Sequence, residues 1–100
     1  MTRPAKTHDL KTHPAPFQDV WDGLKTFEFR KNDRDYQLWD TLILREYYPD
    51  TNKFTGRAVK VYISHLIAGP SEFGIPDGYV CMSIQDDGAS VDGEHFTAAR

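Results

Sequence analysis

One hundred residues, 39% of them hydrophobic, make one domain with a modest core, and no apolar run approaches the ~20 residues needed to cross a bilayer. A net charge of −3 weighs against tight, nonspecific binding to duplex DNA, because that affinity comes from phosphate neutralisation. Cys81 is the single cysteine, so a disulfide framework is excluded and a buried, inert thiol is expected.

Residues 1–6 read as a flexible lead-in. The start is basic but has no apolar segment behind it, unlike a signal peptide, and the expected compartment is cytoplasmic. His8 to Thr12 is a weak strand pattern around Leu10. Pro14 and Pro16 suit the first turn of a helix, where a missing N–H costs nothing. Phe17, Val20, Trp21 and Leu24 then recur at helical spacing on one apolar face, and Gly23 is placed to end the helix.

Lys25 to Lys31 reads as a strand in which Phe27 and Phe29 alternate with Glu28 and Arg30. Asn32 to Asp35 is a turn, and the aromatics Tyr36 and Trp39 follow as caps of the core or walls of a pocket. Thr41 to Tyr47 is a strand, Tyr48 to Asn52 a turn, and Arg57 to Ile67 the longest strand pattern, with Val59, Val61 and Ile63 on one face. Ala68-Gly69-Pro70-Ser71 breaks it, Glu72 to Asp77 is an irregular loop, and Tyr79 to Ile84 is a last buried strand. Asp86, Asp87, Asp92 and Glu94 mark residues 87–100 as a mobile acidic tail beyond a domain at 7–86. Short turns, strands and one helix predict an α+β fold: a small, mostly antiparallel β-barrel with one main N-terminal helix at its end. Its expected core is Phe17, Val20, Trp21, Phe27, Phe29, Leu42, Leu44, Val59, Val61, Ile63, Val80 and Met82.

No His-x-x-x-His helix or cysteine pair supports a metal site, and the glycines are too scattered for a phosphate loop, so no cofactor is expected. Six charged residues crowd into Glu28 to Asp35, more than a turn requires. With Lys25, Thr26 and Glu72 they read either as a ligand site or as an ion-pair cluster bracing the barrel. Strict alternation puts Lys25 opposite Glu28 and Arg30, but the chain is still turning out of the helix there and need not obey it.

Gly23-x-Lys25-Thr26-x-Glu28-x-Arg30 after a short helix resembles the signature of ASCH domains, small β-barrels of the PUA-like superfamily. His8-x-Leu10-Lys11 before the helix agrees, as do Asp40 to Leu44, Gly56-Arg57, Glu72-Phe73-Gly74 and Gly78 to Ile84; with Arg30 to Asp35 they are similar to a branch common in bacteria and their phages. The resemblance departs at Trp39-Asp40, where relatives carry Gly-Asp.

The resemblance implies one of two functions. Some small ASCH proteins are metal-independent amidohydrolases that remove acyl groups from the exocyclic amine of N4-acylcytidine with a lysine, a threonine and a glutamate. Others are noncatalytic modules that bind a base, often a modified one, within RNA. Carried onto this chain, the lysine is Lys25 and the acidic loop residue Glu72, while the hydrolytic threonine falls at Glu28, so that Glu28 or Thr26 takes its role. Arg30 is expected to hold the base carbonyl or a reaction oxyanion, with Lys11, Asn32, Arg34 and Tyr79 as further substrate contacts. The implied partner is a modified cytidine nucleoside or one base of RNA.

Overall fold

In the computed structural model, which describes residues 3–86, the pattern around Leu10 becomes strand β1, Thr7–Thr12, with His8, Leu10 and Thr12 turned inward. Helix α1, Pro14–Trp21, follows with Pro14 in its first turn and buries Phe17 and Val20, while Trp21 packs against the core. It stops one turn earlier than its apolar spacing predicts. Gly23 sits at φ +77° and donates to the Val20 carbonyl at 3.0 Å, and the Leu24 amide reaches the Asp19 carbonyl at 2.8 Å. These two bonds make a Schellman ending, in which the left-handed residue is nearly always glycine. The turn carries Leu24 off the helix face, and its side chain is 78% exposed rather than buried.

Four more strands complete the sheet: β2 at Phe27–Lys31, β3 at Thr41–Tyr48, β4 at Lys53–Ala68 and β5 at Tyr79–Asp86. Their order is β1-β3-β4-β5-β2. The β1–β3 pair is parallel and the other three are antiparallel. β1 runs parallel to β3 because α1 and β2 lie between them in the chain, a connection long enough to return to the starting end. Register shifts between Arg45 and Tyr47 and between Ile63 and His65 mark the bends at which the long β4 and its neighbours change direction. The result is a small α+β domain, mostly strands, with a sheet curled into a half-barrel and one short helix among the described residues. No helix among them is long and apolar enough to cross a membrane.

Leu42, Leu44, Val59, Val61, Ile63, Val80 and Met82 fill the core as expected, together with Leu10, Tyr36 and Ile84. β2 has the expected period but the opposite phase. Phe27 and Phe29 are 48% and 47% exposed, and Glu28 is buried in their stead. β2 is an edge strand, paired only with β5, and its inner face meets the polar gap between the two sheet edges instead of the apolar core. Cys81 lies beside Phe29 on that outer face and is half-buried, not enclosed.

Two ion-pair assemblies fix the ends of this scaffold. Arg57 meets Glu46 through Nε at 2.9 Å and Nη2 at 3.0 Å, bonds Gln18 on the helix, and lies over the Phe17 and Trp21 rings. The Arg57 guanidinium holds the Glu46 carboxyl below its ordinary value. At the other end, fully buried Asp40 accepts from both Nη atoms of Arg3 at 2.9 and 2.8 Å, from the Lys6 and Gln37 amides, and contacts His8 Nε2 at 2.7 Å. Part of the expected lead-in, residues 3–6, thus supplies contacts to a buried carboxylate. Burial pushes the Asp40 carboxyl up, but the bonds from Arg3, Lys6, His8 and Gln37 outweigh it and hold the group well below the usual range. Trp39 has φ +73°, a left-handed conformation that costs a side-chain-bearing residue roughly 1–2 kcal/mol. The expected acidic tail, 87–100, lies outside the described residues.

Candidate functional site

The half-barrel does not close through backbone bonds. Its free edges, β1 and β2, meet across a seam bridged by arginines: Arg30 Nη2 donates to the Lys11 carbonyl and to Thr12 Oγ1, each at 3.2 Å, and Arg34 Nη1 donates to the Asp9 carbonyl at 3.1 Å. A seam of this kind leaves polar groups aimed into a gap that a side chain or a small ligand can enter.

Glu28 is the centre of the gap. Its side chain is 3% exposed, and it accepts from Lys25 Nζ on one oxygen and Arg30 Nε on the other, both at 2.7 Å. Such short, charge-assisted contacts are what makes a buried carboxylate tolerable. Lys25 reaches it because the Schellman turn delivers the backbone at an angle that strand alternation does not describe; its amide still bonds Asp19 of the helix. The Lys25 ammonium also lies 5.0 Å from the Phe27 ring centroid. Around these groups is a cavity of about 270 Å³, walled by Lys11, Thr12, Lys25, Glu28, Phe29 and Arg30, with the start of the helix on one side.

Of the expected residues, Lys25, Glu28, Arg30 and Lys11 share this cavity, and Arg34 lies farther along the same seam. Tyr79 does not reach it: its ring stacks on Phe29 at the outer face of β2, with centroids 5.5 Å apart and planes inclined by 14°. Asn32 contributes its amide to the Gly78 carbonyl, and its side chain is exposed. Thr26 lines a separate groove with Ser64 and Ser83, while its carbonyl accepts from the Ile84 amide. Glu72 is exposed on the loop between β4 and β5, which hangs from the Lys31 end of β2, and it lines none of the seam cavities. Lys25 precedes the opposite end of the strand.

Two contributors are absent from the sequence-based set. Thr12 is a plain polar residue in a weak strand pattern and carries no signal. Phe29 gives one: an aromatic flanked by Glu28 and Arg30 in a charge-dense edge strand fits a site wall as well as a core. Among the described residues, no three His, Cys, Asp or Glu side chains gather as metal ligands would.

The chain resembles known proteins over this same region. Residues 7–84, from the first residue of β1 into β5, match the family described as Domain of unknown function (DUF3850). It is also similar to a protein of Escherichia phage P2 described as an uncharacterized 12.9 kDa protein in GpA 3'region, 47% identical over 62 residues. That match covers 62% of this chain and 55% of the phage protein, so the chain aligns with about half the length of its relative.

Proposed function

The chain belongs to the DUF3850 family, and we propose that it is an ASCH-type, PUA-like domain that binds one nucleobase in the seam cavity, either as a nucleoside or as an unpaired base of RNA. The observation that carries this reading is the buried Glu28 carboxylate held between Lys25 and Arg30 in the wall of this cavity. An ionised carboxylate has about four lone-pair directions, so two bonds leave it able to accept from an amine. Lys25, Arg30 and Thr12 supply donors. One acceptor among several donors is the complement of the cytosine pairing edge, which offers an exocyclic amine beside a ring nitrogen and a carbonyl. The cavity of about 270 Å³ lies just below the range of roughly 300–1,000 Å³ typical of drug-sized ligands, which suits a base better than an oligonucleotide.

Titration calorimetry with cytidine, acetylcytidine and uridine tests the reading. Cytidine and its acylated form are expected to bind saturably, more tightly than uridine, with little change between low and physiological salt, since no phosphate is neutralised. Binding confined to long RNA, with a steep salt dependence, would contradict a single-base site.

The contact of Lys25 with Glu28 favours a second reading, the N4-acylcytidine amidohydrolase. In that reaction Lys25, having passed a proton to Glu28 across their 2.7 Å contact, takes a proton from water, the hydroxide attacks the acyl carbon, and Arg30 steadies the oxyanion. The C–N bond then breaks, the proton passes to the cytidine amine through Lys25 or Glu28, and the acyl group leaves as a carboxylate. The separation of Thr26 and Glu72 from Lys25 is why base binding stands first. Under the amidohydrolase reading, Lys25→Ala abolishes cytidine release from acetylcytidine. Lys25→Arg is nearly as damaging, because arginine does not give up its proton at working pH. If the pair only braces the seam, Lys25→Arg behaves like the parent and Lys25→Ala lowers stability alone. Turnover and melting temperature of both variants separate these cases.

A further inference from the structure

Beyond the base cavity, the seam widens into a second one of about 430 Å³, lined by Asp9, Leu10, Lys11, Arg30, Arg34 and Phe54. Lys11 and Arg30 belong to both cavities, so the two adjoin. Three cations face this space against one carboxylate, and that carboxylate is already engaged: Asp9 accepts from Arg45 Nε at 2.5 Å. Arg30 is spoken for by Glu28. Lys11 and Arg34 differ. Among the described residues neither forms an ion pair with a carboxylate. The Lys11 ammonium rests 4.8 Å over the Tyr47 ring, and the Arg34 bond across the seam goes to a neutral carbonyl. Two cations without a carboxylate, on the wall of one cavity in a chain of net charge −3, are an arrangement that suits an anion.

We propose that Lys11 and Arg34 form a phosphate subsite, so that the ligand of this protein is a nucleotide, with its base in the first cavity and its phosphate in the second. The inference rests on the base reading for its first half. Arg34 offers a planar pair of donors suited to two phosphate oxygens, and Lys11 adds a point charge. The second cavity exceeds what one phosphate fills, which leaves room for the ribose between the two groups. A free nucleotide and one residue of a single strand share this chemistry.

The probes are cytidine, cytidine monophosphates with the phosphate on either ribose end, a cytidine-containing dinucleotide, and inorganic phosphate, each titrated into the full chain and into Arg34→Ala and Arg34→Lys. One monophosphate is expected to bind about 10–100-fold more tightly than cytidine, as one or two charge-assisted bonds supply, and its affinity falls as salt rises. Arg34→Ala brings that ratio close to one, and Arg34→Lys retains part of it. A dinucleotide that binds as well as the better monophosphate identifies a strand as the source; one that binds no better than cytidine identifies the free nucleotide. Equal affinity of cytidine and both monophosphates overturns the phosphate subsite and leaves the base site standing. Binding of inorganic phosphate that depends on Arg34, with no cytidine binding, keeps the subsite and overturns the base reading. No response to any probe overturns both.

Discussion

Replacing Asp40 with alanine is expected to lower stability by about 3–5 kcal/mol, the range found when one partner of a buried ion pair is removed. The carboxylate is fully buried and accepts from Arg3, the Lys6 and Gln37 amides and His8, so its loss leaves several polar groups without partners at once. In a domain of this size that shift moves the melting temperature by roughly 15–30 °C. Asp40→Asn keeps one acceptor but turns an amide group toward donors, and about half the loss is expected. The sign of the pH dependence follows from the depressed carboxyl. A group held below its unfolded value contributes stability that is fully present above that value and is lost as pH falls toward the folded one. The parent therefore loses stability below about pH 4, where an unfolded aspartate takes up its proton. Asp40→Ala loses much less over the same interval. Urea unfolding of both proteins between neutral and acid pH checks it, and parallel curves would show that the Asp40 network contributes little.

Glu28→Ala carries the second large effect because it touches fold and site together. Lys25 and Arg30 lose their shared partner, but both are partly exposed and can be rehydrated, so the expected cost is about 2–3 kcal/mol, smaller than at Asp40. Cytidine binding is expected to weaken by about 10–100-fold or more, since the site loses its acceptor and the orientation of two donors. Glu28→Gln separates the two consequences. Its amide keeps the shape and one acceptor, and its stability should lie between parent and alanine variant. If Glu28→Gln binds cytidine like the parent, the carboxylate is a brace and not a reader of the base.

The element pattern was legible in the sequence because apolar residues at helical or alternating spacing report burial directly, as in Phe17, Val20 and Trp21 or Val59, Val61 and Ile63. The facing of β2 was not. Phe27 and Phe29 alternate with Glu28 and Arg30, and hydrophobicity alone sends the rings inward. The edge position reverses that choice, because an inward carboxylate meets Lys25 and Arg30 while the rings turn outward, where Phe29 stacks on Tyr79. Edge position is a property of topology, and no local window contains it. Leu24 departs for a different reason: the apolar spacing runs one residue past Gly23, whose Schellman bonds end the helix.

In the candidate site, the charge density around Lys25, Glu28 and Arg30 picks out the strand whose charged side chains gather at the seam. Contacts between residues distant in sequence, such as Arg30 with Thr12 or Arg34 with Asp9, depend on how far the sheet curls. Glu72 and Thr26 entered through resemblance, and the loop geometry and the strand face place them elsewhere.

The central claim is that the seam between β1 and β2 takes a single base. The most direct measurement is a nuclear magnetic resonance titration of isotope-labelled protein with cytidine and acetylcytidine. The expected result is a saturable set of shifts at Lys11, Thr12, Lys25, Glu28, Phe29 and Arg30, with the Thr26, Ser64 and Ser83 groove unmoved. Shifts centred on that groove or on the Glu72 loop, or no shifts at saturating nucleoside, would contradict it.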